Sequence, residues 1–287
     1  MPDAVHHYAL AVETRRHTDR WRSLPVAVPD GKIHEQRLID FTSNDYLNLC
    51  HHPLLTARGC EWNQRWGNGS GASRLLSGHL ALHEQVEEKL AHSKRTESAL
   101  LFSSGFQANS TVLSALLDRQ ILGTTPLVFA DRLNHASMHH GLHAAGVRQI
   151  RYRHRDMNHL ETLLQRRVND PAPRFILSET VFSMDGDQAD IAALIELKQR
   201  YHAFLYLDEA HATGLFGPDG FGLASCYPGQ VDLIMATCGK ALGSFGAWVA
   251  CSRMLKDYLI NYCPGFIYTT ALPPAVLGAI DAAIELI

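Results

Sequence analysis

Excess charge of either sign is missing from this chain of 287 residues: 26 Lys and Arg stand against 29 Asp and Glu, a formal net charge of -3. A nucleic-acid binder normally carries a basic face, and this balance argues against one. Arginines gather at Arg15, Arg16, Arg20 and Arg22 and again at Arg148, Arg151, Arg153 and Arg155, but acids and apolar residues are mixed among them, the pattern of a solvated face. No apolar run approaches the roughly 20 residues of a membrane span. The stretch Met1 to Arg22 is polar and lacks the apolar segment of a secretory signal. Cys50, Cys60, Cys226, Cys238, Cys251 and Cys263 show no Cys-x-x-Cys spacing, and several lie in apolar stretches. They read as packed, reduced thiols of a cytoplasmic protein, not as a disulfide framework. Internal repeats and low-complexity segments are absent too. What remains is an ordinary globular composition, long enough for one large domain or somewhat more.

The pattern along the chain is one of alternation. A helix is expected over about Ala4 to Arg22 with an amphipathic pattern, a short extended segment over Leu38 to Thr42, and a helix near Leu54 to Trp66. A glycine-rich break over 67–78 follows, and Leu82, Val86 and Leu90 then mark one apolar helical face. From there, apolar runs at Ala99 to Phe102, Leu127 to Ala130, Phe175 to Ser178, Phe204 to Asp208, Leu233 to Ala236 and Trp248 to Cys251 read as buried strands. Helical patterns fall between most of them, at Gln107 to Leu117, His135 to His143, Leu160 to Arg167 and Ile191 to Tyr201. Such alternation predicts an α/β fold, a mostly parallel central sheet with helices on both faces. Ligands of such sheets bind beyond the carboxyl ends of the strands.

Two strand ends carry chemistry. The run Val231 to Ala236 leads through Thr237-Cys-Gly239 to Lys240, in a tight loop of small residues. Desolvation there lowers an amine's pKa, and a partly neutral amine can form a Schiff base with an aldehyde. The run Phe204 to Asp208 delivers a carboxylate, with His211 three residues on. A strand-end Asp, a nearby His and a strand-end Lys are the groups a pyridoxal phosphate site needs. Ser104, Gly105 and Phe106 open a helix directly after a strand, where backbone N–H groups suit a phosphate. His135, His139 and His143 have a spacing that also suits a metal, but no His-Glu-x-x-His arrangement accompanies them, so no metal is expected.

Eight segments occur in the order of one family: Phe41-Thr-Ser-Asn-Asp-Tyr-Leu47, Gly69-Ser-Gly-Ala-Ser-Arg-Leu-Leu-Ser-Gly78, Ser104-Gly-Phe-Gln-Ala-Asn109, Asp131-Arg-Leu-Asn-His135, Val181-Phe-Ser-Met-Asp-Gly-Asp187, Asp208-Glu-Ala-His211, Thr237-Cys-Gly-Lys240 and Ile267-Tyr-Thr-Thr270. The chain resembles the α-oxoamine synthases, fold-type I pyridoxal phosphate enzymes that condense amino acids with acyl thioesters. The glycine-rich loop is most similar to the alanine-using, biotin-pathway branch. The resemblance implies that Lys240 anchors the cofactor and then serves as base, that Asp208 pairs with the ring nitrogen, and that His211 and Ser183 reach the ring's phenolic oxygen. It implies that His135 stacks on the ring and meets the substrate carboxylate, and that Thr237 lies by the phosphate. It further implies a homodimer, with Thr269 and Thr270 reaching the phosphate of the neighbouring subunit, and a substrate-binding arginine at Arg22 or Arg20. Substrates would be L-alanine and pimeloyl-CoA or pimeloyl-acyl carrier protein. Sister synthases using glycine or serine, and a truncated inactive relative, are the alternatives.

The resemblance also sets an expected organisation: an N-terminal helix and extension over 1–45 and a large cofactor-binding domain over 46–287. The family's small C-terminal domain is expected to be missing after the helix near Leu272 to Ile287, leaving apolar surface exposed and turnover low. Asp208-Glu-Ala-His211 also spells a helicase-type nucleotide motif. That class needs a Gly-x-x-x-x-Gly-Lys-Ser/Thr loop upstream, and the chain has none.

Overall fold

The computed structural model describes residues 3–24, 26, 32–33, 36–37 and 40–287. The chain divides into two compact units, Met1–Ser43 and Asn44–Ile287. In the first, the helix Ala4–His17 starts on an Asp3 side chain that accepts from the His6 N–H, the usual way an N-cap satisfies a free donor. The helix ends at His17, short of the Arg22 read from the sequence, because the chain turns at Thr18 and Asp19 takes a left-handed φ of 54°. None of its residues is buried, and its apolar residues are not gathered on one face, contrary to the amphipathic pattern expected. Two short antiparallel strands follow, β1 (Lys32–Ile33) and β2 (Gln36–Arg37). The extended segment expected at Leu38 to Thr42 lies outside the described residues at positions 38 and 39. Its remainder, from Asp40 to Thr42, is irregular.

The second unit is built on seven strands: β3 (Ser98–Phe102), β4 (Leu127–Asp131), β5 (Gln149–Tyr152), β6 (Arg174–Glu179), β7 (Ala203–Asp208), β8 (Leu233–Thr237) and β9 (Ala247–Cys251). They lie in the order β3-β9-β8-β7-β6-β4-β5. All neighbours pair in parallel except β9, which runs antiparallel to both β8 and β3. This is the α/β architecture expected, a mostly parallel sheet with helices on both faces. β5 was not foreseen. It is an edge strand, only partly buried, and Gln149-Ile-Arg-Tyr152 shows no apolar run to betray it.

Side chains alternate across the sheet and feed two apolar layers. In β3, Ala99 and Leu101 join one layer while Leu100 and Phe102 join the other. The first layer is covered by the helices Pro53–Trp66, Ala81–Lys94, Met157–Gln165, Ile191–Arg200 and Pro274–Ile284. The second lies under Gly105–Leu116, Ala136–Ala144 and Arg253–Tyr262. With both faces covered, the strands must be apolar throughout, which is why they stood out in the sequence as continuous runs. Polar residues are left to the strand ends, and at the carboxyl ends of β6, β7 and β8 these are Glu179, Asp208 and Thr237.

Candidate active site

A cleft open to solvent, about 510 Å³ in all, lies at those strand ends, lined by residues that include Phe106, His135, Glu179, Asp208, His211 and Lys240. β7 positions Asp208, which is 3% exposed. One carboxylate oxygen accepts the Asn109 Nδ2–H at 2.7 Å and the other the Ala210 N–H at 2.8 Å. Asn109 is itself held, since its Oδ1 accepts from Tyr206 at 2.6 Å and its Nδ2 donates to Ser137 Oγ at 2.9 Å. Burial pushes the Asp208 carboxyl up from its ordinary pKa, against those two hydrogen bonds and the nearby Lys240 and His135. Among the described residues no cation forms an ion pair with it.

Lys240 follows β8 in a loop that returns directly into β9. Burial lowers its amine from the ordinary lysine pKa, while Asp208 and Glu179 oppose that shift. Its Nζ lies 2.8 Å from His211 Nε2. Burial first, then the charges of Lys240 and His135, push the His211 imidazole down to about 4. A mostly neutral ring therefore sits against an amine of reduced basicity, which suits an amine that must act as nucleophile and base.

The helix Gly105–Leu116 begins immediately after β3. Ser104 caps it, its Oγ accepting the Gln107 N–H at 3.2 Å. The N–H groups of Gly105 and Phe106 belong to the first turn, which has no intrahelical acceptor for them. Both residues line the cleft, and so does Thr237, whose Oγ1 donates to the Gly246 carbonyl at 3.0 Å and accepts the Gly239 N–H at 3.1 Å. His135 caps the helix Ala136–Ala144 and lines the cleft, its Nδ1 2.7 Å from Ser137 Oγ.

One expected residue of this unit is not brought there. Ser183 is exposed in the turn after Val181 and does not line the cleft. Thr269 and Thr270 border a different hollow with Arg74 and His83. Thr269 Oγ1 accepts from Gln107 Nε2 at 2.8 Å, and Thr270 bridges to Ser73. Arg20 and Arg22 are exposed in the N-terminal unit.

The structure adds residues that the sequence reading did not assign. Asn109 falls four residues after Gly105, one helical turn on, so it faces the same cleft; that spacing was visible. Glu179 pairs in register with Asp208 across β6 and β7, at 3% exposure, and its carboxyl accepts the backbone N–H of His135. Burial, reinforced by the Asp208 charge, pushes its pKa up to about 8. No sequence signal shows which strands are neighbours, so this pair of carboxyls could not be read in advance.

The family model for aminotransferases of class I and II matches residues 36–286. An 8-amino-7-oxononanoate synthase from Gluconacetobacter diazotrophicus is 58% identical over 279 residues, covering 95% of this chain and 69% of that relative. Among solved structures, a serine palmitoyltransferase from S. paucimobilis with bound PLP-myriocin aldimine superposes with a TM-score of 0.87 at 26% identity, covering 99% of this chain and 75% of that one. An 8-amino-7-oxononanoate synthase from Francisella tularensis gives a TM-score of 0.72 at 30% identity, covering 86% of this chain and 68% of that one.

Proposed function

The chain belongs to the aminotransferase class I and II family, and on that footing we propose that it serves pyridoxal phosphate chemistry. The proposed reaction joins L-alanine to a pimeloyl thioester, with 8-amino-7-oxononanoate, carbon dioxide and a free thiol as products. The observation that carries this reading is the facing of two groups in one cleft. Lys240 offers an amine of lowered pKa, and Asp208 offers a buried carboxylate with no cation paired to it among the described residues.

The cleft fits the cofactor. A protonated ring nitrogen would give Asp208 the cation that it lacks. The free N–H groups of Gly105 and Phe106, with the Ser104 and Thr237 hydroxyls nearby, suit a phosphate. A Cβ at Gly105 would stand at ordinary contact distance, 3.9 Å, from the Thr237 Cβ, so these two residues form one wall of the cleft. When bound, the cofactor supplies an electron-accepting ring and an aldehyde carbon. Lys240 Nζ would hold the cofactor, and its free amine would take the α-proton of the amino acid. Asp208 would hold the ring nitrogen's proton, His211 faces the amine, and His135 would cover the cleft beside the substrate carboxylate. Thr269 and Thr270 are proposed to serve the neighbouring subunit of a homodimer, which accounts for their distance from this chain's own cleft. Ser183 and Arg22 remain candidate ligands by resemblance.

A sister synthase is the second reading, favoured by the close superposition on the serine palmitoyltransferase. Sequence speaks the other way: identity is 58% to an 8-amino-7-oxononanoate synthase against 26% to that neighbour. One methyl in an apolar pocket discriminates by only about 1–3 kcal/mol, so a graded preference for L-alanine over glycine and L-serine is expected. Spectral titration with the three amino acids decides between these readings, and tightest binding of glycine or serine would move the assignment. Borohydride reduction of the cofactor-loaded chain should label Lys240. A label on any other lysine would overturn the site.

A further inference from the structure

A third residue closes the circuit around the lysine. Tyr46, in the segment after Asn44, places its hydroxyl 2.8 Å from His211 Nδ1 and 3.1 Å from Asn44 Oδ1. The far ring nitrogen, Nε2, meets Lys240 Nζ at 2.8 Å. We propose that Tyr46 fixes the His211 proton on Nδ1, leaving Nε2 bare to take a proton from Lys240.

The argument is one of donors and acceptors. An amide oxygen only accepts, and a tyrosine has one hydroxyl proton. If that proton points to Asn44, the tyrosine oxygen can only accept from the imidazole. The ring must then carry its proton on Nδ1, because a hydrogen bond at one nitrogen sets the state of the other. Nε2 is thereby aimed at the lysine as an acceptor. In the transfer, Lys240 Nζ loses one proton and Nε2 gains it, so the charge of the pair is unchanged and the amine is left neutral. The proton does not settle on the ring, since burial and neighbouring charge hold the imidazole pKa down. It leaves instead from Nδ1 to the Tyr46 oxygen as the hydroxyl proton turns from Asn44 to water, and the ring, then protonated on Nε2, regains its Nδ1–H form when the same relay runs in reverse. Tyr46 is 42% exposed, so solvent reaches that end of the chain of groups. Tyr46 is thus a positioning residue acting through His211. The use of this route in turnover rests on the reaction proposed above; the tautomer does not.

The test is nitrogen NMR of histidine-labelled, cofactor-free chain at neutral pH, with His211 assigned by its loss in His211→Gln. The expected spectrum shows a protonated Nδ1 and a bare Nε2. Tyr46→Phe should lower the Nδ1–H population at least severalfold, while Asn44→Asp, which keeps an acceptor beside the tyrosine, should preserve it. A native Nε2–H form, an unchanged tautomer in Tyr46→Phe, or a reversed one in Asn44→Asp would each overturn the proposal. Because the readout needs no cofactor, a failed titration with amino acids and a failed tautomer test are separate results.

Discussion

Asp208 and Glu179 are adjacent carboxyls with different surroundings, and their variants should behave differently. Asp208 is fixed by Asn109 and the Ala210 N–H, so Asp208→Asn keeps its size but can accept only one of those two hydrogen bonds. Cofactor should still attach at Lys240. Exchange of the L-alanine α-proton in deuterated water should fall by about a hundredfold or more, on the scale of losing one preorganised electrostatic group. Near-normal exchange would remove the ring-nitrogen role. Glu179 has its folded pKa raised to about 8, so its contribution to stability is complete below the unfolded carboxyl pKa and is lost as pH climbs through 8. Glu179→Gln removes that loss. Thermal unfolding of cofactor-free chain should show the variant more stable than the native by about 1–3 kcal/mol at pH 9 and not at pH 5. Equal pH slopes in the two would show that Glu179 is ionised throughout. At this scale the sequence singled out Lys240, Asp208, His211 and His135 by residue type, and the structure brings all four to one cleft. The sequence was silent on Glu179 and on Tyr46, whose meaning depends on neighbours distant in the chain.

The elements that carry the site are held by polar contacts buried beneath them. Lys94, the last residue of the helix Ala81–Lys94, is fully buried and pairs with Glu209 and with the Phe221 carbonyl. The other Glu209 oxygen accepts the Ala224 N–H at 2.8 Å. Glu209 immediately follows Asp208, so this pair ties the segment after β7 to a helix of the first apolar layer. Lys94→Met would strand a buried carboxylate, and breaking such a pair from one side costs about 3–5 kcal/mol. Denaturant unfolding should show a loss of that size, and Lys94→Met combined with Glu209→Gln should recover part of it. A loss under about 1 kcal/mol in the single variant would show that the site is wet. Elements were legible where apolar runs were continuous, while the caps Ser104 and Asp190, which begin the helices Gly105–Leu116 and Ile191–Arg200, are seen in the structure. The helix Arg253–Tyr262 went unseen because only Leu259 of its ten residues is buried.

For the molecule as a whole, the two helical layers explain why fold class could be read while strand order could not. Alternating runs reveal that a sheet is sandwiched, but the order β3-β9-β8-β7-β6-β4-β5 depends on crossovers that leave no local trace. The packing of the last helix on Pro53–Trp66 shows how closely these layers approach. A Cβ on Gly278 would meet the Arg58 carbonyl oxygen at 2.7 Å and the Gly59 Cα at 3.1 Å. Beside that contact Asp281, wholly buried, pairs with Arg58 and with Lys89 at 2.6 Å. Gly278→Val must push backbone apart, so a loss of about 1–3 kcal/mol or more is expected. The drop should appear in one cooperative thermal transition, since the helix shares its apolar layer with the sheet. A separate early transition would show that the helix folds on its own.

The turn that bears Lys240 has a further consequence. Its two legs are ladder strands, with Thr237 opposite Ala247, and Cys238 N–H bonds the Gly246 carbonyl at 2.9 Å. Gly243, at φ 60°, is seated so closely on Leu49 and Cys50 that a Cβ would lie 2.4 Å from the Cys50 nitrogen. The amine is therefore mounted on a clamped hairpin, free to swing about its own side-chain bonds but not to travel with its backbone. Reaction there has to be organised by delivery: ligands must come to a stationary lysine, and selection among them falls to whatever borders their way in.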